Sequence, residues 1–354
     1  MLKIINFENR TEWDKVVLSF PNHDIYYLSG YLAPFKIHGD GTPILIYYQE
    51  ERLRAICAFM LRDVSNETWA QGCINKETFF DAITPYGYGG WLFDKTPSKE
   101  ETATFWKEVK SFMHEHNIID TFTRWSPWLR NQECLRDWSN IIDLGNTIYI
   151  DCTSEERIFQ NIKSKDRATI RKAIKNGVVI KHSDDVGLLE KFRHIYNATM
   201  DKDNADEYYY FKPKFYEAMA QDLKGQWQIF YAELNGEIIA MSIMLMCNGR
   251  IHYHLSGSVM EFRNLNATNL ILYETAKYGA RHGYKMLHLG GGVGSGEDPL
   301  YKFKKTFNKN GDIRFSISKD CFDEDKYSYL IELRKKNDPT FDSSTSFFPA
   351  YRVK

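Results

Sequence analysis

The segment from Trp227 to Gly257 narrows most what this chain can fold into. Two apolar runs, Trp227 to Leu234 and Glu237 to Cys247, are joined by Asn235-Gly236. That pair suits a two-residue hairpin, because both residues tolerate the positive φ that such a turn demands. A second turn, Asn248-Gly249, leads into a third run, Arg250 to Gly257. The spacing predicts antiparallel strands here, with Asn264 to Gly283 helical after them and Lys285 to Gly290 extended again.

With 354 residues the chain exceeds what one hydrophobic core usually supports, so two domains are expected. A hydrophobic fraction of 43% with 26% charged residues is globular, which excludes disordered, collagen-like and coiled-coil chains. The net charge of -1 creates no global field toward nucleic acid, and DNA is not an expected partner. Apolar runs such as Ile238 to Met246 are strand-sized, and the opening MLKIINFENR has no apolar signal region. The six cysteines are scattered without a CxxC pair and read as reduced thiols. A cytoplasmic protein without a transmembrane segment is the expectation.

In the first half, Thr11 opens a helix with Trp13, Val16, Val17 and Phe20 at helical spacing. Ile44 to Tyr48 and Leu53 to Leu61 form a hairpin, and a third extended stretch ends in Pro85-Tyr86-Gly87-Tyr88-Gly89-Gly90. Such a glycine-rich turn allows close approach of another segment or of a ligand. Ser98, with Glu101 three residues on, caps a helix running to about His116. In the second half, the strand Thr147 to Cys152 precedes a helical pair, Ser154 to Asn176, closed by Gly177. A short strand, Val178 to His182, and helices near Val186 to Met200 and Pro213 to Leu223 follow. The expected domains are 1–146 and 147–320, with about 321–354 packing back onto the first.

Two basic patches carry candidate chemistry. In IKSKDRATIRKAIKNG, Lys163, Arg167, Arg171 and Lys175 recur every four residues, beside an apolar face of Ile158, Ile162, Ile170 and Ile174. Such a stripe binds phosphates or is a solvated helix edge, and the spacing leaves both open. In LHLGGGVGSGEDPLYKFKKTFNKNG, the phosphate-loop motifs fail, since Gly296 is followed by Glu297-Asp298 and Ser295 stands where a dinucleotide fingerprint needs glycine. What remains is a flexible loop delivering Lys302, Lys304 and Lys305 among Tyr301, Phe303 and Phe307, in a short element with one wet and one buried side. His252 and His254 alternate along a strand and are expected to face one way; with no carboxylate or cysteine cluster to complete a site, they read as polar lining rather than metal ligands. No GxSxG elbow or nucleophile constellation emerges, which favours chemistry by positioning and electrostatics.

Taken in order, PYGYGG, KSKDRATIRKAIKNGV, IHYHLSGS, LNATNLILYETAKYGARHGY and LHLGGG followed by LYKFKKTF resemble the Fem-type (FemAB-like) aminoacyltransferases of peptidoglycan biogenesis, within the GNAT acyltransferase superfamily. The resemblance spans about residues 80 to 310. It implies an α+β fold of two tandem GNAT-like (acyl-CoA N-acyltransferase-like) domains. Each would have a mixed, mainly antiparallel sheet with flanking helices, and no coiled-coil arm, since Lys181 to Trp227 lacks a heptad stretch. It further implies a transferase that forms an amide bond on an amine of a cell-wall precursor, with aminoacyl-tRNA as donor substrate and no tightly bound cofactor.

The Phe-Lys pair found in such enzymes where the acyl ester is attacked matches Phe303-Lys304. A fixed cation there stabilises the tetrahedral oxyanion of amine attack. Lys302 or Lys305 fills that role if the register differs, and Lys305 otherwise helps to bind substrate. The GNAT pyrophosphate loop RxxGxG/A corresponds to Arg263-Asn264-Leu265-Asn266-Ala267-Thr268, where Asn266 replaces the central glycine. That departure favours the tRNA donor, while the access of Asn to left-handed geometry keeps acyl-CoA as an alternative. Arg167 and Arg171 are candidates for an acceptor diphosphate or the tRNA end. Tyr86, Lys202 and Tyr210, the last within a Tyr208 to Phe211 run, are candidates for acceptor binding, and the run reads equally as packing. The rival readings are a CoA-dependent N-acyltransferase acting on an amino sugar or other small amine, and a binding module without catalysis. Peripheral membrane contact remains open, and the sequence sets no oligomeric state.

Overall fold

The computed structural model describes residues 1–353. In chain order the elements are β1 (Leu2–Asn6), α1 (Arg10–Leu18), α2 (Ser29–His38), β2 (Thr42–Gln49), β3 (Arg54–Asp63), β4 (Phe80–Ile83), β5 (Leu92–Phe93), α3 (Lys99–Glu115) and β6 (Ile118–Arg124). There follow β7 (Ile141–Asp151), α4 (Glu155–Asn161), α5 (Ser164–Lys175), β8 (Val179–Ser183), α6 (Leu188–Lys202), α7 (Pro213–Asp222), β9 (Trp227–Leu234), β10 (Glu237–Cys247) and β11 (Arg250–Ser258). The chain ends with α8 (Ala267–Arg281), β12 (Met286–Gly290), α9 (Pro299–Lys305), β13 (Asp312–Cys321) and α10 (Glu324–Asn337). They form two compact units: residues 1–144 with the chain from Phe315 on, and Gly145–Arg314. The architecture is α+β, each unit built on a mixed, mainly antiparallel sheet with flanking helices.

In the first unit the strand order is β1-β2-β3-β4-β6-β13, antiparallel except for β4 beside β6. Ser98 accepts from the Glu101 amide and Glu101 accepts from the Ser98 amide, so the capping box expected at the start of α3 is complete. Phe105, Trp106, Val109 and Met113 of α3 then pack on Ile46, Cys57 and Phe59 of the sheet. A second cluster joins Val64, Trp69 and Ile119 to Leu330 of α10 and to Tyr351. Charge is buried beside it in a closed arrangement. Arg62 and Arg352 both pair with the fully buried Asp81, Arg352 also pairs with Glu67, and the Tyr351 hydroxyl donates to Asp120 at 2.6 Å. Desolvation, followed by the nearby Asp81 charge, holds the Asp120 carboxyl well above the usual carboxylate range.

In the second unit the order is β7-β12-β11-β10-β9-β8, with β11 and β12 the parallel pair. The hairpin of β9 and β10 turns at Asn235 (φ 52) and Gly236 (φ 84), as their sequence demands. The core gathers Ile158 of α4, Ile170 and Ala173 of α5, and Leu270, Ile271 and Ala276 of α8 against Phe230, Ala240, Met244 and Leu287. Ile174 does not join this face and is 51% exposed, because the chain breaks at Ile162 into two helices whose faces do not run on in register. Between α5 and β9 no long helical arm occurs; α6 and α7 are short helices that lie together.

β11 carries an irregularity that residue spacing does not announce. The register with β10 steps by one residue between Ile243 and Met244, so Leu255 and Tyr253 oppose them and His254 opposes nothing. An extra residue of this kind interrupts the two-residue alternation of a strand. His254 nonetheless stays within electrostatic reach of His252: burial first, then that neighbour, lowers its pKa to about 3.

Candidate active site

The parallel pairing of β11 with β12 covers Arg250 to His252 against Met286 to His288 and stops there. Beyond that point β11 continues to Ser258 alongside β10, while Gly290 of β12 pairs with Ile148 of β7. Two parallel strands that stop pairing leave backbone and side chains between them free of ladder bonds, and α9 delivers Lys304 to this place.

α9 forms because Asp298 caps it: its carboxylate accepts from the Tyr301 amide at 2.7 Å and from the Val293 amide of the preceding loop. These backbone bonds hold the Asp298 carboxyl below its ordinary range. Pro299 follows at the first helical position, where its missing N–H costs nothing. Helical rather than alternating periodicity then decides which lysine is inside. Tyr301 and Lys304, one turn apart, are 5% and 7% exposed, whereas Lys302 faces solvent. The Lys304 ammonium donates to the Gly291 carbonyl at 2.7 Å and stands 6.0 Å from the centre of the Tyr253 ring. Among the described residues no carboxylate forms an ion pair with it. Burial lowers its pKa to about 8, with Asp298 as the opposing influence.

His288 lies within electrostatic reach of Lys304. Burial first, then His252 and Lys304, push its pKa well below the usual histidine value, so the imidazole is neutral. The His288 and His252 rings are 6.0 Å apart at 72°. Beneath Lys304, Tyr253 is half-buried; desolvation raises its pKa, and its hydroxyl bonds with Ser256 and Ser242. Those two serines lie 2.8 Å apart. Sequence reasoning quoted the stretch carrying Tyr253 but weighed only its histidines; the bulge that puts Tyr253 rather than His254 opposite Met244 has no signature in residue spacing.

The glycine loop in front of α9 is partly held and partly open. A Cβ on Gly292 would overlap the Asp298 carboxylate, and one on Gly145 would overlap the Ser295 carbonyl, whereas one on Gly294 or Gly296 would meet nothing within 4 Å. A recess of about 90 Å³ lies at the start of α8, lined by Ser258, Phe262, Arg263, Asn266 and the first-turn residues Ala267 to Asn269. Asn266 adopts the left-handed conformation there (φ 54, ψ 40), so asparagine supplies the backbone that a glycine would. The Asn269 amide already bonds the Asn266 carbonyl at 3.0 Å, so the Ala267 and Thr268 amides at the very start of α8 are the ones that suit an anion here.

The other candidates are distributed as follows. Phe303 is half-buried and packs on the core edge-on to Phe307. Lys305 forms an ion pair with Asp312, and burial with the Lys163 charge lowers its pKa. Arg167 and Arg171 both stand 5.4 Å from the Phe159 ring, and Arg167 also reaches the Phe159 carbonyl at 3.4 Å. Lys202 pairs with Asp203 at 2.8 Å and Tyr210 donates to Asp201 at 2.8 Å, so acidic residues at the end of α6 hold both. In the first unit, the Tyr86 carbonyl accepts from Tyr31 at 2.5 Å and its ring stacks on Phe35. Gly87 (φ 98) and Gly90 (φ 86) in that turn admit the rings of Tyr26 and Trp125, where a Cβ would overlap them.

Residues 160–305 match the family model of an acetyltransferase (GNAT) domain. Curated proteins yield no match. Among solved structures, that of FemX is similar with a TM-score of 0.66 at 13% identity, covering 92% of this chain and 99% of that one. A conserved protein of unknown function from Bacteroides thetaiotaomicron gives 0.56 at 10% identity, over 90% of this chain and 98% of the other. L-PGS from Bacillus licheniformis gives 0.51 at 13% identity, over 86% and 91%. At these identities the likeness is one of fold, and it runs through both units.

Proposed function

We propose that this chain, with its Fem-like tandem GNAT fold, is an acyltransferase that forms an amide bond, taking an aminoacyl group from aminoacyl-tRNA and placing it on an amine of a peptidoglycan precursor in the cytoplasm. The observation that carries the reading is Lys304, a buried ammonium that donates to the Gly291 carbonyl and, among the described residues, forms no ion pair, at the place where β11 and β12 part. In the reaction the amine nitrogen attacks the ester carbonyl carbon, and the carbonyl oxygen gains negative charge. Collapse breaks the bond between that carbon and the ribose oxygen, which takes a proton while the amine gives one up. A desolvated cation already fixed in place stabilises the oxyanion without reorganisation, and such a donor contributes about 2.7–4 kcal/mol. With a pKa of about 8, Lys304 carries its proton at neutral pH yet yields it more readily than a surface lysine.

The recess at α8, with Arg263 and Asn266, would receive a phosphate of the donor. The left-handed Asn266 also favours a second reading, in which acyl-CoA is the donor and a small amine or amino sugar the acceptor. Arg167 and Arg171 would contact the tRNA end or the acceptor diphosphate.

Calorimetry at fixed low salt with acetyl-CoA and with an aminoacyl-tRNA acceptor-stem mimic separates the two donors. Salt-sensitive RNA binding that weakens in an Arg167/Arg171 double mutant supports the tRNA reading. Saturable CoA binding without RNA binding replaces it with the second. Turnover that survives Lys304→Ala with either donor removes both.

A further inference from the structure

In a regular strand, residues three apart point to opposite faces, so Tyr253 and Ser256 of β11 would lie on different sides of the sheet. The bulge changes this. Tyr253 opposes Met244 and Ser256 opposes Ser242, and these two partners, two residues apart on β10, share a face. His254, the extra residue, absorbs the difference and brings Tyr253 and Ser256 to that same face. There the Tyr253 hydroxyl bonds with Ser256 and Ser242, whose oxygens are 2.8 Å apart, and Ser256 donates to the Met241 carbonyl at 3.3 Å. This chain of hydroxyls ends on a backbone carbonyl, which has no proton to pass on. It holds the ring rather than conducting protons.

The ring so held lies under Lys304, with the ammonium 6.0 Å from its centre. The Gly291 carbonyl that Lys304 also contacts belongs to the glycine loop, which has open space at Gly294 and Gly296, whereas Tyr253 stands on the sheet. Around the ammonium, Asp298 at the cap of α9 favours the charge, His288 of β12 is neutral, and burial opposes the charge. The face of an aromatic ring attracts a cation, most strongly where water is excluded. Bulges recur beside active sites, where they re-aim one side chain.

We propose that Tyr253 is a positioning residue: its ring, locked by Ser242 and Ser256 through the bulge of β11, gives the Lys304 ammonium a fixed contact on the sheet and favours its charged form. The consequence for catalysis rests on the oxyanion role proposed for Lys304; the contact itself does not.

The test is a carbon NMR titration of the full chain labelled at lysine Cε, with the Lys304 signal identified by its loss in Lys304→Met. It needs no substrate, so a wrong donor or acceptor does not mask the result. The parent midpoint should lie near pH 8. Tyr253→Leu, which removes the ring and keeps an apolar chain, should lower it by about 0.5 to 1, and Tyr253→Phe, which keeps the ring, should leave it within about 0.2. If Tyr253→Leu does not fold, Tyr253→Met serves instead. Turnover is then measured well below the midpoint, where Lys304 is charged in every variant, with whichever of the two donors reacts. There kcat should fall about fivefold to tenfold in Tyr253→Leu and less than about twofold in Tyr253→Phe, with the donor KM unchanged. The proposal is overturned by an unmoved midpoint in Tyr253→Leu. It is overturned equally by Tyr253→Phe matching Tyr253→Leu in midpoint or in kcat, because the hydroxyl would then be the working group. A lowered midpoint in a chain that turns over neither donor supports the Tyr253 contact and removes the acyl-transfer reading instead.

Discussion

The two units treat the same structural opportunity in opposite ways. In the first, the parallel strands β4 and β6 pair through Ile83 and Phe122, and pairing resumes as a bridge between Gly89 and Trp125. The space between is closed: the Tyr27 hydroxyl donates to the Gly90 carbonyl at 2.9 Å, Asn131 donates to the Gly89 and Trp91 carbonyls, and the Trp125 ring covers Gly90. In the second, the parallel pair stops at His252 and His288 and pairing between them does not resume. A lysine, rather than an indole, occupies the vicinity, and the loop glycines Gly294 and Gly296 have nothing beside them.

Their buried charges differ in the same sense. Arg352 in the first unit has Asp81 and Glu67, whereas Lys304 in the second donates to the Gly291 carbonyl and has no ion pair among the described residues. A buried cation surrounded by carboxylates is committed to the fold, and one anchored by a carbonyl keeps its charge available to a reacting oxyanion.

The pair of substitutions Arg352→Met and Lys304→Met would break this comparison most directly. Arg352→Met leaves Asp81 and Glu67 buried with one fewer partner, and losses of about 3–5 kcal/mol attend such removals. Chemical denaturation should show that loss, while turnover below the melting transition stays within about twofold of the parent. Lys304→Met should do the reverse. Turnover falls by about 10²–10³, and the melting temperature holds or rises, since a desolvated ammonium is replaced by an apolar chain of similar length. If Lys304→Met destabilises and Arg352→Met inactivates, the roles assigned to the two units are exchanged.

The glycines give a smaller contrast. Gly90→Ala combines a left-handed φ of 86° with overlap on the Trp125 ring, and should cost on the order of 2–3 kcal/mol in denaturant unfolding. Gly294→Ala has a φ of 65° but open space around it, so about 1 kcal/mol is expected from the backbone alone. Equal losses at both positions would mean that the loop before α9 is as closely packed as the turn in the first unit.

Much of the second unit's frame was legible because its punctuation is local. Asn235-Gly236 and Asn248-Gly249 set the hairpins, Gly177 closes α5, and Ser98 with Glu101 opens α3 in the first unit. α2 was missed for a physical reason: Ser29 to Phe35 are buried on all sides, so no polar face betrays the helical period, and Pro34 within it reads as a breaker. β1, β6 and β13 were also missed. Their strand pairings are long-range in sequence, and no hairpin turn joins β6 to β13. At the candidate site the alternation of lysine with aromatic residues was visible, but which lysine turns inward depends on the helical period that Asp298 and Pro299 start. Tyr253 required the register step opposite Ile243 and Met244, which only the folded sheet defines.

The last contrast concerns pH, and its sign distinguishes an active Lys304 from a merely buried one. Its pKa of about 8 is depressed from 10.5, mainly by desolvation. The protonated form is the one that stabilises an oxyanion, so turnover at saturating donor should fall about twofold from pH 6 to pH 8 and then about tenfold per unit above it. Stability moves the other way. Between pH 8 and 10.5 the unfolded chain holds a proton on this lysine that the folded chain has released, so unfolding free energy rises with pH through that window. In the unfolded reference the lysine titrates like any other, which makes the rise attributable to burial alone. Lys304→Met should remove both dependences together. A turnover profile whose fall above pH 8 survives in a residually active Lys304→Arg variant, where the guanidinium stays charged throughout, would assign the titration to the amine acceptor or to another group of the second unit.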